Sequence, residues 1–148
     1  MRCLLDTNLL LRLVDTIAPA HRVAHAAVSA LLSDGAEVCI TAQNLVEFWA
    51  VASRPLSANG LGWVPEQIAR EIERLLERFS FLPDSERIFS EWQTLVATHE
   101  VKGKRTHDAR LAAVMLAHRV THLLTFNTAD FAAFSEIILL DPAELTAA

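Results

Sequence analysis

Apolar residues form two alternating patterns along the chain: short unbroken runs, and longer stretches with helical spacing. Short unbroken runs are typical of strands that are buried on both faces of a sheet. They predict strands at residues 2–5, 37–40, 121–126 and 137–140. Helical spacing predicts helices at residues 19–33, 42–53, 65–79, 106–118 and 129–134, with another after residue 84. This alternation indicates an α/β fold, a three-layer α/β/α arrangement around a mainly parallel central sheet.

The helix boundaries are marked by residues with known terminal preferences. Thr41 and Asp84 are suited to N-cap positions, and Pro65 is suited to the first turn of a helix. Gly35 and Pro55 each follow a predicted helix and favour its termination. No repeat, low-complexity tract or linker rich in Gly, Pro and Ser interrupts the 148 residues. We therefore expect a single domain that spans residues 1–148.

The composition indicates a globular protein with a large core. Apolar residues make up 52% of the chain, which excludes a mainly disordered protein. The longest stretches without Asp, Glu, Lys or Arg, residues 23–33 and 55–65, are far shorter than the roughly 20 residues of a membrane span. Asp6 interrupts the first apolar run, so no signal peptide is expected. Cys3 and Cys39 lie in predicted strands and are expected to be buried thiols, which favours a cytoplasmic location.

Four acidic residues stand alone in apolar surroundings. Asp6 follows the first strand, Glu47 and Asp108 fall in the opening turns of helices, and Asp130 follows the strand at residues 121–126. In an open parallel sheet such positions converge on the edge where the strands end. Carboxylates gathered in an apolar site repel one another and lose hydration, and a divalent cation offsets both costs. Because all-oxygen ligands suit hard cations, we expect Mg²⁺ or Mn²⁺ rather than Zn²⁺.

Each of the four acids also has a purely structural interpretation. Asp108 could complement a helix dipole, and Asp130 could cap a short helix. Asp6 could be a turn residue, and Glu47 could form a buried ion pair. The arginines considered as partners of Glu47 are Arg54 and Arg110. The shared apolar context of all four acids favours the metal site over these separate explanations.

The acids and their neighbours also resemble a known family. The matching segments are Leu4-Leu5-Asp6-Thr7-Asn8, the lone Glu47, Thr106-His107-Asp108-Ala109-Arg110-Leu111-Ala112-Ala113 and Thr125-Phe126-Asn127-Thr128-Ala129-Asp130-Phe131. In this order they resemble the successive motifs of PIN-domain nucleases, and nearly the whole chain resembles the small VapC-type toxins of bacterial type II toxin–antitoxin pairs. The resemblance implies a PIN-like fold and an endoribonuclease that uses one or two Mg²⁺ or Mn²⁺ ions. It also implies an antitoxin protein that keeps the nuclease silent.

The resemblance assigns roles to individual residues. Asp6 and Asp108 are the expected principal metal ligands, and Glu47 is expected to bind through water or to orient the attacking water. Asp130 and Asn127 are expected to complete the outer shell or a second metal position. Many relatives carry an acid where this chain has Asn127, which can offer only an uncharged carbonyl oxygen.

Three further polar residues lie beside the acidic motifs. Thr7, Asn8 and Thr125 are candidate hydrogen-bond donors to the metal-binding carboxylates, with turn and cap roles as the alternative.

The net charge of the chain is −5, from 13 basic and 18 acidic residues, which by itself argues against a nucleic-acid partner. With four acids assigned to metal binding, the remaining charges nearly balance, and we expect the metal-free protein to bind RNA poorly. The basic turn of Lys102, Lys104 and Arg105 lies just before Asp108, where it could contact phosphate or be an ordinary solvated turn. Arg12 and Arg54 are further candidate contacts.

Other functions remain compatible with the same residues. A DNase or a non-toxin RNA-processing nuclease would have the same site, and a catalytically weak nucleic-acid-binding module is a further alternative. The apolar helices between residues 65 and 101 offer a surface for the antitoxin and for a homodimer.

Overall fold

The computed structural model describes residues 1–146, which contain a five-stranded sheet. Its strands are β1 (Arg2–Leu5), β2 (Glu37–Thr41), β3 (Ser80–Leu82), β4 (His122–Leu124) and β5 (Ile138–Leu140). The strand order is β3-β2-β1-β4-β5, and all neighbouring strands are parallel. The predicted α/β fold with a parallel central sheet is therefore confirmed. Strands β2 and β3 extend the sheet on one side of β1, and β4 and β5 extend it on the other, so the strand order reverses at β1. In an open parallel sheet the site is expected beyond the carboxyl ends of the strands at such a reversal.

Helices cover both faces of the sheet. They are α1 (Thr7–Val14), α2 (His21–Ser33), α3 (Ala42–Ser53), α4 (Pro65–Arg78), α5 (Arg87–Thr98), α6 (Arg105–His118), α7 (Thr128–Phe131) and α8 (Pro142–Thr146). Residues of α1–α4 and α8 pack in one apolar cluster, and residues of α5–α7 pack in a second. In β1, Cys3 and Leu5 belong to the first cluster and Leu4 to the second, because successive side chains of a strand point to opposite faces. The expected three layers are thus present.

Three elements of the structure do not appear in the prediction from sequence. Helix α1 is separated from β1 by Asp6 alone, and its eight residues are fewer than the window of about 11–18 residues in which helical periodicity is judged. Strand β3 has three residues at the edge of the sheet and follows α4 after a single residue, Phe79, which the sequence pattern assigns to the helix. Helix α8 has five residues and is likewise shorter than a periodicity analysis can detect.

Helix caps were predicted with mixed success. Thr41 is the N-cap of α3, where its hydroxyl accepts from the Asn44 backbone N–H, and Pro65 occupies the first turn of α4, as expected. The prediction for Asp84 is wrong, since α5 begins at Arg87 and has no side-chain cap. The Asp84 carboxylate instead accepts a hydrogen bond from Arg110 at 3.4 Å, a tertiary contact that local sequence does not reveal.

The two cysteines are placed as the composition predicts. Cys3 and Cys39 are both buried free thiols, and burial raises the pKa of the Cys3 thiol to about 12, so this thiol is unreactive. Across residues 1–146, no helix combines the length and the apolar character that crossing a lipid bilayer requires.

The loop between α3 and α4 depends on a glycine at position 60. A Cβ atom placed on Gly60 would lie 2.0 Å from the carbonyl oxygen of Arg54, which is fixed by a 2.8 Å hydrogen bond from the Gly62 N–H. We expect Gly60→Ala to lower the free energy of unfolding by about 1–3 kcal/mol, because backbone must move to relieve the overlap. Urea denaturation followed by circular dichroism measures this. The exposed Ser57→Ala in the same loop is the control and should change stability by less than about 0.5 kcal/mol.

Candidate active site

The four isolated acids come together at the carboxyl edge of the sheet. Asp6 directly follows β1, and Asp130 lies in α7, shortly after β4. Glu47 is in the second turn of α3, which starts where β2 ends, and Asp108 is in the first turn of α6. Their charges act on one another: Asp6, Asp130 and Glu47 all raise the pKa of Asp108. The convergence expected from sequence is therefore present.

Asp6 is held by two donors. Its Oδ1 accepts from the Thr7 backbone N–H at 2.8 Å, which caps α1, and its Oδ2 accepts from the Thr125 hydroxyl at 2.7 Å. Burial raises the pKa of Asp6, the two hydrogen bonds oppose that shift, and the charge of Asp130 adds to it. Asp6 is thus a helix cap as well as a member of the acidic cluster. Its carboxylate is fixed in orientation before any ligand arrives.

Glu47 is oriented by a relay of buried polar groups. Its Oε1 accepts from the Thr7 hydroxyl at 3.0 Å, and that hydroxyl accepts from the Asn44 side-chain amide at 3.2 Å. Burial is the main reason that the pKa of Glu47 is raised, with the charge of Asp6 adding to the shift. The suggested ion pair with Arg54 or Arg110 does not occur among the described residues.

Asp108 has the clearest electrostatic signature in the cluster. Burial, Asp130 and Asp6 raise its pKa from 3.8 to about 6, and Arg105 opposes the shift only in part. An acid placed at a helix N-terminus to complement the dipole is stabilised in its ionised form, which lowers its pKa. The pKa of Asp108 moves in the opposite direction. Burial and the neighbouring acids therefore outweigh any stabilisation of the charged form by the helix, and a perturbed acid in such a cluster is a candidate for chemistry.

Asp130 pairs with a residue that was expected to contact substrate. Its Oδ1 lies 3.1 Å from Arg105 Nη2, and Arg105 Nη1 also donates to the Ala129 carbonyl at 3.4 Å. The proposed capping role of Asp130 is wrong, because α7 starts at Thr128 and has no side-chain cap. Arg105 therefore stands between the acidic cluster and solvent, where it can bind either Asp130 or an incoming phosphate.

Thr125 is the centre of the hydrogen bonds around Asp6. It is fully buried, and its hydroxyl oxygen accepts from the Asn127 N–H at 3.0 Å and from the Asn8 side-chain amide at 3.5 Å. Thr7 and Thr125 thus donate to the carboxylates of Glu47 and Asp6, whereas Asn8 donates to Thr125 rather than to a carboxylate. The side chain of Asn127 is exposed at the rim.

The other basic residues that were expected to contact nucleic acid are Lys102, Lys104, Arg12 and Arg54. Lys102 and Lys104 are exposed on the turn that leads into α6. Arg12 donates to the Asn8 carbonyl at 3.1 Å, and its guanidinium lies 5.2 Å from the centre of the Phe126 ring. Arg54 is exposed at the C-terminal end of α3, about 10 Å along the helix axis from Glu47. The structure therefore places Arg54 at the margin of the site.

Sequence reasoning missed three residues that position the cluster. Asn44 is fully buried and orients Thr7, as described above. The Gln43 amide donates to the His107 carbonyl at 3.0 Å, and its oxygen accepts from Arg110 at 3.0 Å, which ties α3 to α6. The Thr41-x-x-Asn44 spacing, a variant of the capping box, was the available signal for Asn44. Gln43 carried none, and Arg110 was considered only as a partner of Glu47, because the contact between Gln43 and Arg110 joins residues that are far apart in sequence.

The donor set suits a hard divalent cation. Four carboxylates, the Thr7 and Thr125 hydroxyls and the Asn127 carbonyl offer oxygen atoms only, which favours Mg²⁺ or Mn²⁺. Among residues 1–146, the structure shows no group of three His, Cys, Asp or Glu side chains that could hold a metal ion. Three of the four carboxylates are engaged by protein groups: Glu47 by Thr7, Asp6 by Thr125 and Asp130 by Arg105. The raised pKa values of Asp6, Glu47 and Asp108 are the observation that fits a cation. Burial is their main cause and the neighbouring acids add to it, and a positive charge at this edge offsets both effects.

Comparison with known proteins gives a family and several solved structures. VapBC-1 from nontypeable Haemophilus influenzae is 23% identical over 97% of this chain and 99% of that chain, with a TM-score of 0.72. VapBC2 from Rickettsia felis, bound to a DNA fragment from its promoter, is 18% identical over 95% of this chain and 98% of that chain (TM-score 0.71). Mycobacterium tuberculosis VapC20, a sarcin-ricin loop cleaving toxin, is 18% identical over 89% of this chain and 95% of that chain (TM-score 0.61).

At these identities the likeness to solved structures shows a shared fold. No curated protein sequence matches the chain. The model of the PIN domain family matches residues 3–137, a range that contains all four acids. The chain therefore belongs to the PIN domain family.

Proposed function

We propose that the protein is a metal-dependent endoribonuclease that hydrolyses RNA phosphodiester bonds. The observation that carries the proposal is the cluster of Asp6, Glu47, Asp108 and Asp130 at the carboxyl edge of the sheet, with the pKa of Asp108 raised to about 6. A structural role would not require three acids whose pKa values are raised by burial to gather at one edge of the sheet. Membership of a nuclease family supports the same chemistry.

In the proposed mechanism, Asp6 and Asp108 would be the principal ligands of one or two divalent ions, with Asp130 and Asn127 completing the shell. When bound, the ions would neutralise charge on the phosphate oxygens and activate the attacking water. Thr7 and Thr125 would hold the Asp6 carboxylate in place, which limits the reorganisation needed on binding.

Glu47 would act on the attacking water. Its Oε1 is engaged by Thr7, so Oε2 would orient the water and accept its proton. Burial raises the pKa of Glu47, which suits a proton acceptor. Lys102, Lys104 and Arg105 would contact phosphates of the RNA, and Arg105 would exchange Asp130 for phosphate as the substrate enters.

The direct test offers RNA and DNA in parallel to the purified protein. We expect cleavage of RNA with Mg²⁺ or Mn²⁺ and no cleavage in EDTA, because the carboxylates alone provide neither activated water nor phosphate neutralisation. Calorimetry should detect Mn²⁺ binding to the wild type. Cleavage of DNA alone would favour the DNase alternative, and an absence of Mn²⁺ binding would contradict the nuclease and favour a binding module.

We further propose that the chain forms a single domain and acts as the toxin of a toxin–antitoxin pair. The support is the fold shared with chains of VapBC complexes. An apolar groove of about 520 Å³ between α3 and α4, lined by Val46, Trp49 and Ile72 among others, suits the tail of an antitoxin, and a homodimer would use neighbouring helices. Growth arrest on expression, reversed by the neighbouring gene, would support this role. Cleavage of RNA without growth arrest would favour the RNA-processing enzyme.

A further inference from the structure

A second pocket lies beside the acidic cluster, between α5 and the start of α6. Its volume is about 390 Å³, within the range of small-molecule sites. The residues that line it are Ser85, Ile88, Phe89, Trp92, Thr106, His107 and Arg110. Two aromatic rings, one cation and one imidazole are an unusual lining for a surface depression, and none of them takes part in the mechanism described above.

The two aromatic rings differ in how they are held. Trp92 is half-buried, and its indole N–H donates to the Thr106 carbonyl at 2.8 Å, so its orientation is fixed. Phe89 is 65% exposed, and its ring centre lies 5.7 Å from that of Trp92 with an angle of 36° between the ring planes. A phenyl ring this exposed contributes little to the core. The pocket therefore presents a flat apolar surface that is free to stack on another planar group.

The pocket adjoins a depression that reaches one member of the acidic cluster, Glu47. A neighbouring depression of about 310 Å³ is lined by Glu47, Gln43 and Asp84 among others, and it shares His107 and Arg110 with the aromatic pocket. A path along the surface thus leads from Glu47, over His107 and Arg110, to Phe89. An RNA chain that is cut next to Glu47 would extend along this path.

The polar groups on the path favour a polar chain over an apolar protein segment, and they include the Arg110 cation as well as the acids Asp84 and Glu47. The Arg110 guanidinium is held between Gln43 and Asp84, at 3.0 Å and 3.4 Å, and remains partly exposed. The exposed cations Lys102 and Lys104 lie a few residues before His107. Cations beside an exposed aromatic ring are the combination with which proteins bind single-stranded nucleic acid, because phosphates meet the cations and bases stack on the ring.

We propose that this pocket is a nucleobase subsite, in which an unpaired base of single-stranded RNA near the scissile phosphate stacks on Phe89. The backbone of that RNA crosses Arg110 and His107 between the base and the acidic cluster. The proposal rests on the proposed function, since it assigns the substrate of the same site. It implies that the enzyme prefers unpaired RNA, because a base in a duplex cannot leave its stack without cost.

The test compares three variants with the wild type on a short single-stranded RNA labelled with fluorescein. We expect Phe89→Ala to raise both KM and Kd about 5- to 150-fold with little change in kcat, the effect of losing one stacked base. Phe89→Tyr should retain wild-type values, because its ring can still stack. Phe81→Ala, which removes a ring that is 41% exposed on the edge strand, is the control and should also retain them. Removing single bases from the RNA should locate one position that matters for the wild type and not for Phe89→Ala.

The outcomes separate this proposal from the proposed function. A KM and Kd of Phe89→Ala equal to those of the wild type, on RNA that the wild type cuts, would overturn the subsite alone. A shift of Phe89→Ala from dimer to monomer in sedimentation, with unchanged RNA affinity, would assign the ring to an interface with a second copy and also overturn it. RNA binding that depends on Phe89 without any cleavage would support the subsite and contradict the nuclease. If the wild type does not bind RNA, both proposals fail.

Discussion

Replacing Asp6 by Asn is expected to reduce metal-dependent cleavage of RNA by at least about 100-fold. Loss of a group that only supports a metal ligand costs about 10- to 100-fold, and Asp6 is proposed as a ligand itself. The substitution removes the negative charge at the point where Thr7 and Thr125 fix the carboxylate. It should also weaken Mn²⁺ binding measured by calorimetry.

The Asp6→Asn protein is expected to remain folded. Asn is as good an N-cap as Asp, and its carbonyl oxygen can still accept from the Thr7 N–H at the start of α1. Burial raises the pKa of Asp6, so the folded state also gains from losing the charge. A loss of activity therefore reports on chemistry rather than on unfolding, and circular dichroism provides the check.

A matched control for this variant is Asp34→Asn. Asp34 is an exposed acid at the end of α2, so the substitution changes the same atoms away from the site. We expect wild-type cleavage from Asp34→Asn and almost none from Asp6→Asn. Equal rates of RNA cleavage for Asp6→Asn and the wild type would contradict the proposal that Asp6 is a metal ligand.

The fold and the acidic cluster could be predicted from sequence because their signals are local. The run Cys3-Leu4-Leu5 predicts a buried strand, and the isolated Asp6 behind it marks the end of that strand. Parallel topology then brings strand ends together, so four isolated acids could be assigned to one edge before their distances were known. The same reasoning succeeded for Thr41, whose capping role depends on Asn44 only three residues away.

Contacts between distant segments could not be predicted in this way. The pairing of Arg105 with Asp130 and the bridge from Gln43 to His107 and Arg110 join helices that are separate in sequence. Nothing in the sequence pattern of either partner distinguishes these from exposed polar residues. The aromatic pocket is a similar case, since Phe89 and Trp92 lie at helical spacing that equally indicates core packing.

Asp108→Asn is expected to abolish cleavage and at the same time to stabilise the metal-free protein at neutral pH. The pKa of Asp108 is raised from 3.8 to about 6, mainly by burial and by Asp130 and Asp6, so the folded state favours the protonated form. Its contribution to stability is complete below pH 4 and is lost as the pH rises from about 4 to 6. Asn does not ionise and therefore avoids this loss.

The expected gain follows from the size of the shift. Two pKa units correspond to about 3 kcal/mol, and solvent screening of this half-exposed group reduces the gain to about 1–2 kcal/mol. Urea denaturation in EDTA should show the gain at pH 7.5 and almost none at about pH 3, where Asp108 is protonated in the unfolded as well as the folded protein. Asp34→Asn, measured at both pH values, is the control for the loss of a surface charge.

The same variant separates the two explanations for an acid at this position. If Asp108 served the dipole of α6, its removal would destabilise the protein at pH 7.5, because an ionised acid at a helix N-terminus contributes about 0.3–1 kcal/mol. If it serves the metal site, removal stabilises the metal-free protein and cancels the increase in thermal midpoint that Mg²⁺ gives the wild type. A stabilised protein that neither responds to Mg²⁺ nor cuts RNA would show that the charge of Asp108 is maintained for function at a cost in stability.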